Sequence, residues 1–305
     1  MLMRALCALL SGWLLALAFP LSLPPLRLPE PIGLIPPILP GAGPEAGYTQ
    51  LSWLAFVALI PLLELARRSP NGRQAFFWGY FSGVVWLSGH FIWLGSFGPA
   101  PVVLLTLYFS LPVGLFAWLA RLVYRRGGPG LAVWGLAALW TGIEFARSFG
   151  MWAYPWNLLG YSQAGWPAFI QSADLGGVYL VTFLIALGNT ALLALLSNTG
   201  AFRVRLGHAL IAAALVLLNL GYGEYRLATA GPDPAARPYQ VALIQGGVES
   251  FRSWNTDFMQ EVLDAYVPPS RDAINRWEEE TVGDEWLPGE LTGPPLPRDL
   301  LVVWP

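Results

Sequence analysis

The sequence contains no lysine, so all 17 of its basic residues are arginine, and a mechanism that needs a lysine finds none within these 305 residues. Cysteine occurs once, at Cys7, which excludes an intrachain disulfide, a CxxC redox pair and a thiolate metal cage. The two histidines, His90 and His208, are too few for most histidine metal sites, and no metal or cofactor is expected. Charge is also scarce: charged residues are 12% of the chain, against about 25% in soluble domains. A wholly soluble enzyme is thereby excluded. With no basic patch beyond short loop clusters, nucleic acid is not expected as a partner.

What is abundant is apolar length, since 55% of residues are hydrophobic. A helix of about 20 apolar residues crosses a hydrocarbon core because it satisfies its own backbone hydrogen bonds. Windows at 5–22, 51–66, 75–95, 100–123, 130–148, 176–197 and 204–223 predict an all-α polytopic membrane bundle of about seven transmembrane helices. The first window also resembles a signal peptide, with Arg4 before it and Ala16-Leu17-Ala18 near its end; we take it as a retained helix. Arginines set the orientation, because cytoplasmic loops retain positive charge. Arg4, then Arg67, Arg68 and Arg73, then Arg121, Arg125 and Arg126, then Arg203 and Arg205 all fall on one side; the alternate loops hold only Arg27 and Arg147. The amino terminus is therefore expected in the cytoplasm, and everything beyond about residue 225 on the external face. Trp13, Trp53, Trp78, Trp93, Trp134 and Trp152 fall near span ends as interfacial anchors.

The proline- and glycine-rich segment 21–48 argues against a regular helix and reads as an external loop. After Gly231-Pro232-Asp233-Pro234 the composition becomes that of a soluble domain. YQVALIQ at 239–245 reads as a buried strand, 255–266 as a helix, 278–297 as an acidic, proline-rich connection, and 299–305 as a second strand. Strand, helix, strand is the opening of an α/β domain with neighbouring parallel strands; alone it leaves sheet edges and an apolar face uncovered. The expected division is a transmembrane domain over 1–230 and the start of a second domain over 231–305.

Ionisable groups at membrane depth are costly and mark candidate sites. Glu64 is explained by pairing with Arg67 and Arg68 at i, i+3 and i, i+4. Glu144 and Arg147 share the i, i+3 spacing and read either as a structural ion pair or as groups shaping an external site, because an unusual aromatic loop follows at 149–163. That loop holds Trp156 and Tyr161 with amides and a fixed proline, a composition that suits lipid at the interface. His90 and His208 read as hydrogen-bonded packing histidines, Cys7 as a buried structural cysteine, and the acids at 278–285 as a solvated surface. Trp254 reads as a core aromatic or part of a substrate rim.

Four stretches carry a resemblance: WTGIEFAR at 140–147, PWNLLGYSQ at 155–163, VALIQG at 241–246 followed by Trp254, and LVVWP at 301–305. In this order they resemble the amino-terminal part of the apolipoprotein N-acyltransferases, which are bacterial inner-membrane enzymes. The resemblance implies a membrane bundle carrying an external nitrilase-like αββα domain, incomplete here. It implies transfer of an acyl chain from a phospholipid, through a cysteine thioester, to the α-amine of a diacylglyceryl-modified lipoprotein. The implied partners are the phospholipid donor, the lipoprotein acceptor and the bilayer, and the protein is expected to act as a monomer. Trp254, Trp156, Tyr161, Glu144 and Arg147 are the expected substrate-binding residues. The family's catalytic glutamate, lysine and cysteine have no matching positions, so the chain is expected to be truncated before them and inactive alone. The lengths of 21–48 and 267–298 depart from the family pattern. Two alternatives remain open: a non-catalytic polytopic protein that binds or transports lipid, and another membrane-anchored nitrilase-family amidase.

Overall fold

The computed structural model describes residues 1–19, 51–151, 153–197, 200–231, 240–248, 256–283 and 300–304. The proline-rich segment and Trp254 lie outside the described residues. The chain divides into two units, Met1–Ala230 and Gly231–Pro305.

The first unit is helical. Its elements are α1 (Leu2–Ala18), α2 (Ala55–Ala58), α3 (Ile60–Arg68), α4 (Gly72–His90), α5 (Pro99–Phe109), α6 (Leu111–Arg126), α7 (Leu136–Ala146), α8 (Pro167–Ile170), α9 (Ala173–Leu196) and α10 (Phe202–Thr229). A single π-helical stretch, Leu131–Gly135, leads into α7. Helix thus falls in each predicted apolar window. Among the described residues, three helices are long and apolar enough to cross a membrane: Pro99–Arg126, Ala173–Leu196 and Phe202–Thr229. The other windows give shorter pieces, such as Leu2–Ala18 and Leu131–Ala146.

The window at 51–66 is short for a physical reason. Pro61 has no backbone N–H and its ring crowds the carbonyl four residues earlier, so it is favoured in the first turn of a helix, and the segment breaks at Leu59 between α2 and α3. Asn189 of α9 repairs the break. Its Oδ1 accepts from the Leu59 N–H at 2.9 Å, and its Nδ2 donates to the Ala55 carbonyl at 2.8 Å. The amide thus stands in for the Ala55–Leu59 hydrogen bond of an unbroken helix.

Packing follows side-chain size. Helix α4 lies against α1 and α6. A Cβ at Gly79 would collide with Ala117, and one at Gly83 would press on Ser110, so small residues let these backbones approach. Leu15, Leu59, Leu62, Leu63, Phe91, Phe116, Leu136, Phe169 and Ile185 fill the core. Helix α9 bends at Gly176 and Gly177, the latter at φ 64°, and Asp174 before the bend pairs with Arg226 of α10 at 3.0 Å. Gly223 of α10 sits directly on the backbone of Ala168 in α8, and Asn219 Nδ2 donates to the Phe169 carbonyl at 2.9 Å.

Glu64 pairs with Arg67 at 2.7 Å and also with Arg68, as its spacing predicts. His208 accepts a hydrogen bond from Trp134 Nε1 at 3.1 Å, as a packing histidine should. His90 differs: its ring packs edge-on against Phe19 at 5.0 Å, and among the described residues neither nitrogen has a side-chain hydrogen-bond partner. Cys7 is half-buried rather than buried, because α1 packs only one face against its neighbours.

In the second unit, β1 (Gln240–Leu243) pairs in parallel with β2 (Leu300–Val303), Gln240 opposite Leu300 and Leu243 opposite Val303. Between them runs α11 (Met259–Gly283), which extends well beyond the expected end near 266 despite Pro268 and Pro269. Residues 270–280, directly after the prolines, have good helix propensity and carry the helix onward. Glu278 and Glu279 are exposed on it. Tyr266 stacks on Trp304 at 5.2 Å, and Trp304 Nε1 donates to Ser270 Oγ at 2.8 Å, tying the helix to β2. The opposite face of the strand pair, with Val241, Leu243 and Leu301, is exposed.

Candidate functional site

The loop after α7 is built around two oppositely charged side chains that do not pair with each other. Among the described residues, the salt bridges are those of Glu64 and Asp174, so of the two readings of Glu144 and Arg147 the structural ion pair is not formed.

Glu144 is 2% exposed, and its carboxylate accepts three hydrogen bonds. Trp140 Nε1 donates at 2.9 Å, the Leu159 N–H at 2.8 Å and Thr182 Oγ1 at 2.8 Å. Trp140 lies one helical turn back, Leu159 is in the loop, and Thr182 is on α9. The carboxylate therefore joins three segments at once. An ionised carboxylate offers only acceptors, which fits three converging donors. The Thr182 hydroxyl also accepts from the Gly160 N–H at 2.9 Å, so the start of the 3₁₀ turn Leu159–Gln163 is clamped twice.

Arg147 works on the preceding stretch. Its guanidinium donates to the carbonyls of Tyr154 and Trp156, each at 2.9 Å, and of Asn157 at 3.0 Å. The Tyr154 N–H returns a bond to the Arg147 carbonyl at 2.8 Å. These contacts hold a sharp turn in which Asn157 has a φ of 52°, a left-handed conformation that asparagine tolerates better than most residues. Tyr154 stacks on Phe109 at 3.8 Å, and burial pushes its phenol well above the usual tyrosine range although the Arg147 charge opposes this.

At the other end of the loop, Gln163 Nε2 donates to the Ser52 carbonyl at 2.9 Å and to Ser162 Oγ at 2.8 Å, and Ser162 Oγ donates to the Leu159 carbonyl at 2.6 Å. What the loop presents outward is aromatic. Trp156 is 49% exposed and packs against Trp93 at 5.4 Å and Tyr154 at 5.2 Å; Tyr161 is 44% exposed. Beside Glu144 and Arg147, Trp86, Phe109, Trp140 and Ile143 line a cavity of about 20 Å³, room for about one water.

The structure thus brings Glu144, Arg147 and Trp156 into one assembly and places Tyr161 on the same loop. Trp254 lies outside the described residues. Sequence reasoning misses Thr182, although a lone threonine in the apolar run VYLVTFLIAL is an available signal. Trp156 and Tyr161 give the assembly an aromatic outer face.

Residues 11–191 match the model of the apolipoprotein N-acyltransferase N-terminal domain. The chain is 32% identical over 284 residues to the apolipoprotein N-acyltransferase of Geobacter metallireducens, covering 88% of this chain and 48% of that protein. It is 36% identical over 230 residues to that of Chromobacterium violaceum (71% of this chain, 42% of that protein). It is 33% identical over 240 residues to that of Gloeobacter violaceus (74% and 44%). The chain spans about half the length of the curated relatives it matches. With the family model covering more than half of its residues and the matched stretch containing the entire Glu144–Arg147 assembly, the chain belongs to the apolipoprotein N-acyltransferase family.

Proposed function

We propose that this chain supplies the membrane-embedded part of an apolipoprotein N-acyltransferase, together with the opening strand, helix and strand of its nitrilase-like domain. In this reading seven segments cross the cytoplasmic membrane with the amino terminus inside, and the 149–163 loop and the 231–305 domain face outward. The reaction moves an acyl chain from a phospholipid to a cysteine thiolate, releasing a lysophospholipid, and then to the α-amine of a diacylglyceryl-modified lipoprotein, regenerating the thiol. The 305 residues contain no lysine, and Cys7 lies in α1, so this chain alone binds lipid without turning it over.

The observation that carries the reading is the double clamp on the aromatic loop. Glu144 and Arg147 engage the backbone on either side of Trp156, so its indole is held half-exposed on a rigid base. Aromatic rings at an interface accept acyl chains on one side and headgroups on the other. Trp156 and Tyr161 act in this proposal as lipid-contacting residues, Glu144 and Arg147 as positioning residues, and Trp254 as an aromatic of the lipid entrance.

The test uses the full chain in nanodiscs carrying a phospholipid with a photoreactive acyl chain. Crosslinking should concentrate on 149–163, fall in Trp156→Ala and Tyr161→Ala, and be competed by a diacylglyceryl-cysteine lipopeptide. Equal labelling of wild type and both variants would remove the lipid-contact role. Any lipopeptide acylation by the chain alone would overturn its assigned inactivity.

A further inference from the structure

At the opposite end of the bundle from the aromatic loop, a partly enclosed cavity of about 380 Å³ lies among the ends of α3, α6, α9 and α10. Its volume falls within the roughly 300–1,000 Å³ range of small-molecule sites. Three arginines line it, Arg67, Arg125 and Arg205, together with Gly127, Gly128 and Ser197; among the described residues no aspartate or glutamate does.

The arginines differ in how far they are already satisfied. Arg67 is bidentate with Glu64, at 2.7 and 2.8 Å, and Glu64 is shared with Arg68. Arg205 Nη1 donates to the Leu195 carbonyl in the last turn of α9 at 3.1 Å, but its Nε is buried and has no hydrogen-bond partner among the described residues. Arg125 forms no hydrogen bond or ion pair among the described residues and is exposed at the end of α6. Arginines near helix ends commonly cap carbonyls or follow the charge rule for membrane loops. Neither role explains why three should border one cavity, or why a buried guanidinium N–H should be left without an acceptor. A buried donor without a partner keeps its desolvation cost, which a ligand acceptor removes.

We propose that this cavity binds a phosphate-bearing anion, held by Arg125 and Arg205 with Arg67 at its edge. Guanidinium groups match phosphate oxygens through paired N–H donors, and basic pockets between helix ends suit such headgroups. The anion would fasten α6, α9 and α10 at this end of the bundle, independently of the acyl-transfer reading. Two sources share this chemistry, the phosphodiester of an anionic lipid and free phosphate.

The experiment compares the full chain with Arg125→Gln/Arg205→Gln and with Arg126→Gln/Arg203→Gln, a control that removes the same charge from exposed positions outside the cavity. Retention of phosphatidylglycerol against phosphatidylcholine is read by native mass spectrometry, and inorganic phosphate is titrated calorimetrically in an uncharged detergent. Saturable binding of about one anion per chain, weakened about tenfold or more in the cavity variant and unchanged in the control, is the expected result. Retention of phosphatidylglycerol without a phosphate response assigns a lipid headgroup, and a phosphate response assigns a soluble anion. Equal weakening in both double variants, or no saturable binding of either probe, overturns the proposal. Should the cavity variant fail to fold, Arg125→Glu alone carries the same comparison, because Arg125 is exposed and forms no hydrogen bond or ion pair among the described residues.

Discussion

Thr182 donates its hydroxyl proton to the Glu144 carboxylate at 2.8 Å and accepts the Gly160 N–H at 2.9 Å, so one hydroxyl on α9 links the charged residue of α7 to the backbone of the loop between them. The geometry makes Glu144 the centre of a network and Thr182 its bridge. Removing one member leaves the others buried without partners, and that is where the large energies lie.

Glu144→Ala is therefore expected to cost about 3 kcal/mol or more, since three buried donors lose one acceptor. Glu144→Gln keeps an oxygen for Trp140 and Leu159 and should cost roughly half as much. Thermal unfolding in detergent should rank wild type above Gln above Ala. Equal melting of the two variants would show that the carboxylate is not the centre of the network.

Arg147→Lys keeps the charge but not the fork. One ammonium cannot span the carbonyls of Tyr154, Trp156 and Asn157, so lysine should fail to restore what Arg147→Ala loses. Hydrogen exchange over 153–158 is expected to be faster in both variants, to a similar degree. Wild-type protection in the lysine variant would mean that charge alone organises the turn.

Gly223→Ala places a methyl group against the Ala168 backbone, where α10 presses on α8. Overpacking of this kind costs roughly 1–3 kcal/mol, and the backbone of α8 cannot turn aside as a side chain can. A melting temperature several degrees below wild type is expected, with unchanged behaviour in Gly221→Ala, whose added Cβ meets nothing within 4 Å.

Much of this arrangement is legible along the chain, and the failures of sequence reasoning share one cause. Apolar windows locate the helices, and the Glu64 pairing follows from helical spacing alone. The same local spacing suggests an Arg147 partner for Glu144 that is not formed, because its partners Leu159 and Thr182 lie 15 and 38 residues away and no periodicity links them. The aromatic loop can be singled out by composition, whereas the backbone contacts that hold it cannot. The end of α11 is misplaced when Pro268 and Pro269 are weighted above the helix-forming residues after them.

The clasp of Asn189 on the Ala55–Leu59 break bears on the order in which the chain can enter a bilayer. Asn189 follows Leu59 by 130 residues, so a ribosome makes the broken segment long before it makes the amide that completes it. On the seven-span reading proposed above, until then the Leu59 N–H and the Ala55 carbonyl lack the amide that joins them, and hydrocarbon offers no substitute. Biogenesis should accordingly hold 51–68 at the translocon or the membrane surface, and admit it to the bundle only when α9 arrives.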